Sequence, residues 1–407
     1  MRKIRIILLM LIYLSAHKFF NPFGLVTEQM GKAIFYAFSL LGILWAVRYG
    51  KKIQHTKTMK YYWWIVGGIV VSVFSVWMNY DQTFPVSVMT TLPYLFAYLY
   101  FYVLQKFAIE KEFFVKVIKV LVVCSSVMYV VNLVTFPNIV FGAEKDEYDM
   151  SRGFVRLGVP MIEIVVMWLF YSINQWLLTG KKKWFLWIAL TGVLVVMSLT
   201  RQVILMSFAL SFLMIMQRAK LWKKVVVVGG VALFAAFVLP EIPIYKSMVE
   251  LSEDQAYKNK YEEEDIRVTA WRFYVIENQG NLSTAILGNG MPSIGNSKYG
   301  NDFEKKTYYA YGGNGCFYVD VGWAGFYWLY GIFATLGLIM MCVRAIRKSF
   351  DEHKLYMAYW FLFILITSVA SAPILFHAQV LSLCIGFYLI FGKDYERKNR
   401  VYSISHS

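Results

Sequence analysis

Four arginines stand apart from the basic clusters of this sequence, and their side-chain chemistry suits one kind of ligand. Arg201 lies between two apolar segments, Arg156 precedes another, and Arg267 and Arg272 flank Trp271 in a polar segment. A guanidinium keeps its charge at physiological pH and binds phosphate oxygens in a bidentate manner. If these side chains share one side of the molecule, they predict a site for a pyrophosphate.

Structural interpretations compete with this one for three of the arginines. Arg201 can be a side chain at a helix end that reaches toward water. Arg267 or Arg272 can pair with the acidic run at 262–265, since a pair of exposed charges needs no function. Five helical residues also set these two arginines about 140° apart, so both contact one ligand only if their helix lies in a cavity.

Arg152 and Arg156 form a second cluster, and Glu163 follows seven residues after Arg156. Seven residues are two helical turns, so Arg156 and Glu163 can share one face if the helix starts early. An internal ion pair is then a sufficient explanation for Glu163. Arg156 is the stronger ligand-binding candidate. We place it on the outer side of a membrane, and basic residues that set the orientation of a membrane protein lie on the cytoplasmic side instead.

Candidates for a general base are fewer. Asp320 follows a glycine-rich segment and can accept a proton from a hydroxyl, or it can cap the next helix. His377 is a second candidate, and a structural histidine is an equally good interpretation. Tyr309, with Tyr308 and Tyr311, can stack on sugar rings, although an aromatic belt at a membrane interface explains these residues equally well.

Motifs for nucleotide or metal chemistry are missing from the sequence. It contains no Walker motif, no GxSxG, no HExxH and no acidic metal-binding pair, so we expect neither a metal nor a cofactor. The four cysteines have no CxxC spacing, and this indicates neither a zinc site nor a disulfide framework.

Composition identifies the class of protein that must position these residues. Of 407 residues, 58% are hydrophobic and 16% are charged, more apolar than a soluble fold can bury. The sequence predicts an all-α polytopic membrane protein of about twelve transmembrane helices. Their limits are 4–20, 31–48, 60–78, 84–104, 114–136, 158–179, 184–200, 202–217, 221–240, 317–343, 355–372 and 374–391.

Basic residues set the expected orientation. Of the 41 Lys and Arg residues, 27 lie in alternate connections that include both ends of the chain, which predicts that both termini are cytoplasmic. The net charge of +16 is then a topology signal and not a sign of nucleic-acid binding. The first span resembles a secretory signal, but its apolar run continues through Phe19 and Phe20, so we expect an uncleaved helix.

The predicted spans divide the chain into four parts. These are transmembrane helices one to nine at 1–240, one large extracytoplasmic loop at 241–316, helices ten to twelve at 317–392, and a cytoplasmic tail at 393–407. Within the loop, acidic residues before Ile266 predict a helix over 266–278 that ends near Gly280. Its expected apolar stripe is Ile266, Ala270, Phe273 and Ile276.

This arrangement resembles the bacterial O-antigen ligase and O-antigen polymerase family of membrane glycosyltransferases. The resemblance covers the twelve-helix plan with its large outer loop, and local matches between about 151 and 337. The segment Leu199, Thr200, Arg201, Gln202 is similar to the family's Ser-Arg-Gly at a helix hairpin, with Thr and Gln replacing Ser and Gly.

Further similarities follow in the loop and after it. Arg267, Trp271 and Arg272, with the later run from Leu287 to Gly290, resemble the family's arginine, tryptophan and Gly-x-Gly pattern. The residues Asp320, Gly322 and Gly331 are similar to its tenth-helix entry, where ligases usually carry His-Asn. The missing histidine favours a polymerase over a ligase.

The resemblance implies a reaction and a location. A glycan would be transferred from undecaprenyl pyrophosphate to an acceptor sugar hydroxyl, with inversion and without metal, on the outer face of the cytoplasmic (inner) membrane. Arg201 and Arg267 or Arg272 would hold the pyrophosphate, assisted by Arg156, and Asp320 would orient the acceptor. Partners would be the lipid bilayer, the lipid-linked donor and acceptor, a flippase and a chain-length regulator.

Alternatives to a polymerase stay open. A ligase would transfer finished polymer to a surface acceptor. A lipid-linked oligosaccharide flippase belongs to a different class, but such transporters tend to have repeated halves and polar sites at the midplane. A non-catalytic scaffold would not need four outer arginines.

Overall fold

The computed structural model describes residues 2–20, 27–53, 56–141, 157–221, 265–308 and 315–392, together with a few residues between 222 and 264. None of these residues is in a strand. The helices are α1 Arg2–Ala16, α2 Glu28–Tyr49, α3 Lys57–Asn79, α4 Phe84–Phe107, α5 Lys111–Thr135, α6 Ile162–Thr179, α7 Lys183–Met197, α8 Arg201–Arg218, α9 Ile266–Arg272, α10 Leu282–Leu287, α11 Lys298–Tyr308, α12 Gly322–Asp351, α13 Leu355–Thr367 and α14 His377–Phe391.

Six helices in the described part of the chain are long and apolar enough to cross a membrane. They are α2 (from Gln29), α3, α4, α5, α6 and α12. The helices α7, α13 and α14 are apolar but shorter, at 13 to 15 residues. The chain is therefore an all-helical membrane protein as predicted. The number twelve stays a prediction, and its ninth span, 221–240, lies almost wholly outside the described residues.

The connections predicted to be cytoplasmic meet at one end of the bundle, which we call the basic end. Arg5 at the start of α1 donates to the carbonyl of Tyr49 (3.3 Å), and Lys51 donates its backbone N–H to the carbonyl of Lys106 (2.9 Å). Arg218 at the end of α8 donates to the carbonyl of His353 (3.1 Å). The helices α9, α10 and α11 lie at the opposite end, which we call the loop end.

Helix α12 is broken near its middle. Gly331 has φ 77° and ψ 179°, a conformation that is essentially reserved for glycine. Just before the break, the carbonyl of Trp328 accepts from the N–H of Asn289 (2.8 Å), and that of Leu329 accepts from the N–H of Gly290 (3.0 Å). The segment after α10 thus inserts against the broken helix, which satisfies backbone groups inside the protein.

Two glycines make this close approach possible. A Cβ on Gly331 would lie 2.2 Å from the carbonyl oxygen of Ile286, and one on Gly288 would lie 2.3 Å from that of Leu329. Gly288 has φ 89°, and its carbonyl accepts from the hydroxyl of Ser75 in α3 (2.6 Å). The loop segment is therefore held between α3 and α12.

Gln82, buried at 3% exposure between α3 and α4, fixes the continuation of this segment. Its amide nitrogen donates to the carbonyl of Met291 (3.0 Å) and to the hydroxyl of Ser87 (3.2 Å). Its amide oxygen accepts from the N–H of Ser293 (3.0 Å) and the hydroxyl of Ser297 (2.8 Å). One side chain thus ties three parts of the chain together at the loop end.

Replacing Gln82 with leucine should destabilise the protein by about 2 kcal/mol, because buried backbone groups at Met291 and Ser293 lose their partner. Thermal unfolding of the purified protein in detergent measures the change. Gln29→Leu, at an exposed position in α2, is the matched control and should shift stability by less than about 0.5 kcal/mol. Equal shifts in the two variants would contradict the anchoring role.

The predicted loop helix exists but changes character partway. Asp265 caps α9 by accepting from the N–H of Arg267 (2.8 Å), and after Arg272 the chain continues as a π-helical turn over Phe273–Glu277. The wider turn shifts the buried face. Ala270 and Phe273 are buried as expected, but Ile266 is 36% exposed and Ile276 is 71% exposed, so the predicted stripe is wrong at both of its ends. Thr269 and Tyr274 are buried instead.

Candidate functional site

The turn that follows α13, residues 366–371, is the place where three separate parts of the chain meet. The side chain of Gln202, at the start of α8, donates to the carbonyl of Thr367 (2.9 Å). The indole of Trp271 in α9 donates to the carbonyl of Val369 (2.9 Å). The backbone N–H of Trp323, at the start of α12, donates to the carbonyl of Ser368 (3.0 Å). We call this place the arginine junction, because each arriving element carries a candidate residue next to its anchor.

Arg201 enters the junction as the first residue of α8, directly before Gln202. The hairpin from α7 turns through Leu199, which has φ 49° and is buried. Thr200 at the N-cap makes no side-chain capping bond. A cation at a helix N-terminus opposes the helix dipole. An anion bound there would interact with both the guanidinium and the helix terminus.

Arg267 and Arg272 come to the junction on α9, whose Trp271 is the anchor. Both side chains are exposed. Arg267 lies close enough to Asp320 to interact with it electrostatically, and α9 contacts the 3₁₀ turn Tyr318–Asp320. The acidic run predicted as an alternative partner lies outside the described residues except for Asp265, whose carboxylate caps the helix.

Asp320 ends the 3₁₀ turn that leads into α12, two residues before the helix begins. The capping alternative is wrong, because the N-cap position is Val321 and no side chain caps the helix. Carbonyls of Ser371 and Ser368 accept from the first N–H groups instead. Burial raises the pKa of the Asp320 carboxyl, and the nearby Arg267 guanidinium partly lowers that pKa again. A partly buried carboxyl with a raised pKa is a candidate proton acceptor.

Glu163 is placed differently from the prediction. Helix α6 begins at Ile162 and not at 158, and residues 157–159 are not helical. The shared helix face proposed for Arg156 and Glu163 is therefore wrong. Glu163 is 4% exposed in the first turn of α6, and its backbone carbonyl accepts from the indole of Trp360 (2.9 Å). Outside the described residues lie Arg152, Arg156, Tyr309 and Tyr311.

His377 is the first residue of α14, which begins three residues later than the predicted limit of 374. Its ring is half-buried between Phe35 (5.5 Å between centroids) and Tyr94 (6.2 Å). Tyr94 is near Tyr318, two residues before Asp320, so aromatic side chains connect His377 with the junction.

Several polar residues near His377 were missed by sequence reasoning. The nitrogen Nδ1 of His17 lies 2.9 Å from the carbonyl oxygen of Tyr13, and the Tyr13 hydroxyl is hydrogen-bonded to that of Ser382 (2.7 Å). Nε2 of His17 and the hydroxyl of Tyr330 are buried without a hydrogen-bond partner among the described residues. The only sequence signal for these residues was that histidine and tyrosine occur inside predicted spans. Ordinary membrane helices also contain such residues, so the signal did not single out a site.

No protein-family model matches the chain, and no curated protein matches it either. The functional argument therefore rests on the junction. It combines three arginines, the start of α8 and one partly buried carboxyl, an arrangement that can bind a polyanionic group beside a proton acceptor.

Proposed function

We propose that the protein is a polysaccharide repeat-unit polymerase, which transfers a glycan from undecaprenyl pyrophosphate to an acceptor sugar hydroxyl. The single observation that carries this proposal is the convergence of Arg201, the α9 arginines and Asp320 on the turn 366–371. These residues are far apart in the chain. Polytopic topology with twelve spans, cytoplasmic termini and a bacterial inner-membrane location is part of the same proposal.

The donor pyrophosphate would bind Arg201 together with Arg267 or Arg272. A pyrophosphate presents several oxygens, and guanidiniums bind such oxygens in pairs. As the glycosidic bond breaks, negative charge grows on the leaving phosphate oxygen. The neighbours Gln202 and Trp271 are anchored to the turn and hold the backbone that carries these arginines, so the guanidiniums would stabilise that charge with little movement of the chain.

The acceptor hydroxyl would attack the anomeric carbon from the face opposite the pyrophosphate. Its proton passes to the Asp320 carboxylate, a new carbon–oxygen bond forms at the anomeric carbon, and the bond to the pyrophosphate oxygen breaks. Undecaprenyl pyrophosphate leaves, and the anomeric configuration inverts. The raised pKa of Asp320 supports this role, because a more basic carboxylate is a better proton acceptor.

A ligase is the second candidate, since the same junction could bind the same donor. The absence of histidine at the position of Asp320 favours the polymerase. A flippase receives less support, because the candidate residues gather at the loop end and not at mid-depth.

Deleting the gene and analysing surface glycan together with lipid-linked precursors tests the proposal. A polymerase deletion leaves single repeat units on the outer-leaflet carrier or on the cell surface. Full-length polymer stranded on its carrier would instead identify a ligase, and precursor trapped on the cytoplasmic leaflet would identify a flippase.

The pH dependence of transfer tests Asp320 as the base. Because Arg267 lowers the pKa of Asp320, Arg267→Ala should raise that pKa and move the acidic limb of the rate profile to higher pH. Asp320→Asn should reduce the rate by roughly 10²- to 10⁴-fold and remove this limb. Transfer assays between pH 4 and 9 with purified lipid-linked substrate measure both effects.

Arg272→Ala is the matched control, since it removes an arginine from the same helix that does not influence the Asp320 pKa. It should lower the rate without moving the acidic limb. A limb that persists in Asp320→Asn and disappears in His377→Gln would assign the base to His377 instead.

A further inference from the structure

A cavity of about 250 Å³ opens at the loop end, away from the arginine junction. It lies between the end of α3 and α11, with Trp328 of α12 at its base. None of its lining residues belongs to the junction. The rings of Tyr274 and Phe303 link the two places, since they lie 5.4 and 4.9 Å from the ring of Trp328 and 6.3 and 6.2 Å from the ring of Tyr318. Trp328 is six residues after the start of α12, or about 9 Å along the helix axis.

Four aromatic rings line this cavity, and they are held in fixed orientations. Tyr80 and Tyr299 stack with centroids 4.2 Å apart, and Phe303 stacks on Trp328 at 4.9 Å. The hydroxyls of both tyrosines donate to Asn289, one to its side-chain oxygen and one to its backbone carbonyl. The indole of Trp328 donates to the carbonyl of residue 278 (2.7 Å). Tyr80 and Tyr299 are half-buried, whereas Phe303 and Trp328 are only 5% and 1% exposed. The wall that these rings form is therefore preorganised, and its accessible part is the tyrosine pair.

Charged and amide groups line the rest of the cavity. Lys298, Asp302 and Lys306 are spaced by four residues and so form one stripe along α11. Lys298 forms an exposed ion pair with Asp81 (3.0 Å) at the end of α3. The side chains of Asn79 and Asn278 complete the polar lining. Acceptors and donors therefore alternate around the aromatic wall.

This lining disfavours two ligand classes. Its two carboxylates balance its two ammonium groups and leave no net positive charge for a phosphate, and the charged stripe disfavours a lipid tail. The volume lies below the roughly 300 Å³ at which pockets for drug-sized ligands begin, so the ligand is small. A pyranose ring fits, because its apolar face can contact the accessible part of Tyr80 or Tyr299 and its hydroxyls can bond to the acids, amides and ammonium groups.

We propose that this cavity is a sugar subsite that binds one pyranose residue of the glycan, away from the reacting end. The identity of the glycan as a lipid-linked repeat rests on the proposed function. A subsite at this distance positions the chain through a unit that takes no part in the bond change. Remote binding of this kind helps to orient the reacting groups.

Direct binding tests the subsite. The probe is the free repeat-unit oligosaccharide, released by mild acid from the carrier that accumulates in the deletion strain. Saturation-transfer NMR and tryptophan fluorescence follow its binding to the full-length protein in detergent. Asp302→Asn and Lys306→Gln should each weaken binding at least tenfold, whereas Glu304→Gln and Lys305→Gln, which make the same charge changes on the same helix outside the cavity, should bind like the wild type.

Both lining positions are exposed, so these variants should fold, and thermal unfolding checks this. Absence of binding to the wild type would overturn the subsite, as would equal weakening in lining and control variants. Arg201→Ala separates the two proposals, because it should reduce transfer by roughly 10²- to 10³-fold and leave oligosaccharide binding unchanged. Retained transfer in Arg201→Ala would reject the proposed function, while the binding data still decide the subsite.

Discussion

Arg201→Ala should reduce glycan transfer by roughly 10²- to 10³-fold, the loss expected when one preorganised group that stabilises developing charge is removed. The guanidinium stands at the start of α8, directly before the residue that anchors this helix to the turn 366–371. Alanine keeps the helix and its Gln202 anchor. Arg201→Lys should recover only part of the rate, because an ammonium cannot bind two phosphate oxygens in a planar bidentate geometry.

The opposite end of the same helix supplies the control. Arg218, the last residue of α8, donates to the side-chain oxygen of Asn174 (3.2 Å) and to the carbonyl of His353 (3.1 Å) at the basic end. Arg218→Ala should therefore cost some stability but leave the transfer rate per folded molecule unchanged. Two assays compare both variants. One measures the length of the surface glycan in cells, normalised to the level of the protein in the membrane, and the other measures transfer with purified substrate. Undiminished long-chain glycan in Arg201→Ala would reject the assignment.

Gly331→Ala should destabilise the protein by about 3 to 5 kcal/mol and sharply lower its level in the membrane. Two costs combine. The backbone at φ 77° and ψ 179° is strained for any residue with a Cβ, and that Cβ would lie 2.2 Å from the carbonyl oxygen of Ile286. Relief would require α12 to straighten or the inserted segment to withdraw. Either movement leaves the carbonyls of Trp328 and Leu329 without their partners from the loop.

Gly67→Ala is the matched control for this variant. Gly67 lies inside α3, and a Cβ there would meet nothing within 4 Å. Because alanine is favoured over glycine in a helix interior, this change should leave stability unchanged or raise it by up to about 1 kcal/mol. Membrane levels and thermal unfolding compare the two variants. A Gly331→Ala protein as abundant and as stable as Gly67→Ala would show that the break in α12 is dispensable.

Residue patterns with local causes were predicted well from the sequence. The start of the loop helix at Ile266 follows from the acidic cap, and Asp265 does cap it. The apolar stripe of that helix was predicted wrongly at Ile266 and at Ile276. The miss at Ile276 follows from the π turn, which changes the phase of the buried face and has no clear signal in the sequence. The expected start of α6 was also too early, because the chain before Ile162 is apolar but not helical.

Asp320 shows why the candidate site was only partly predictable. From sequence, a carboxylate just before a helix is either a cap or a functional group. The choice depends on the carbonyls of Ser368 and Ser371, which accept from the first N–H groups of α12 and come from almost fifty residues later in the chain. The sugar subsite was not predicted either, because its walls come from α3, α11 and α12.

By itself, the sequence determined that this protein is helical and embedded in a membrane, because hydropathy and helix length are properties of a continuous stretch of chain. It also identified the arginines as candidates, because a charged side chain near a predicted membrane span needs a structural or functional explanation. Only the tertiary structure decided which of them meet. The junction depends on hydrogen bonds from distant residues to the carbonyls of one turn. The break in α12 is stabilised by N–H groups of the loop segment. Such long-range pairing of backbone groups leaves no local pattern in the residues that take part.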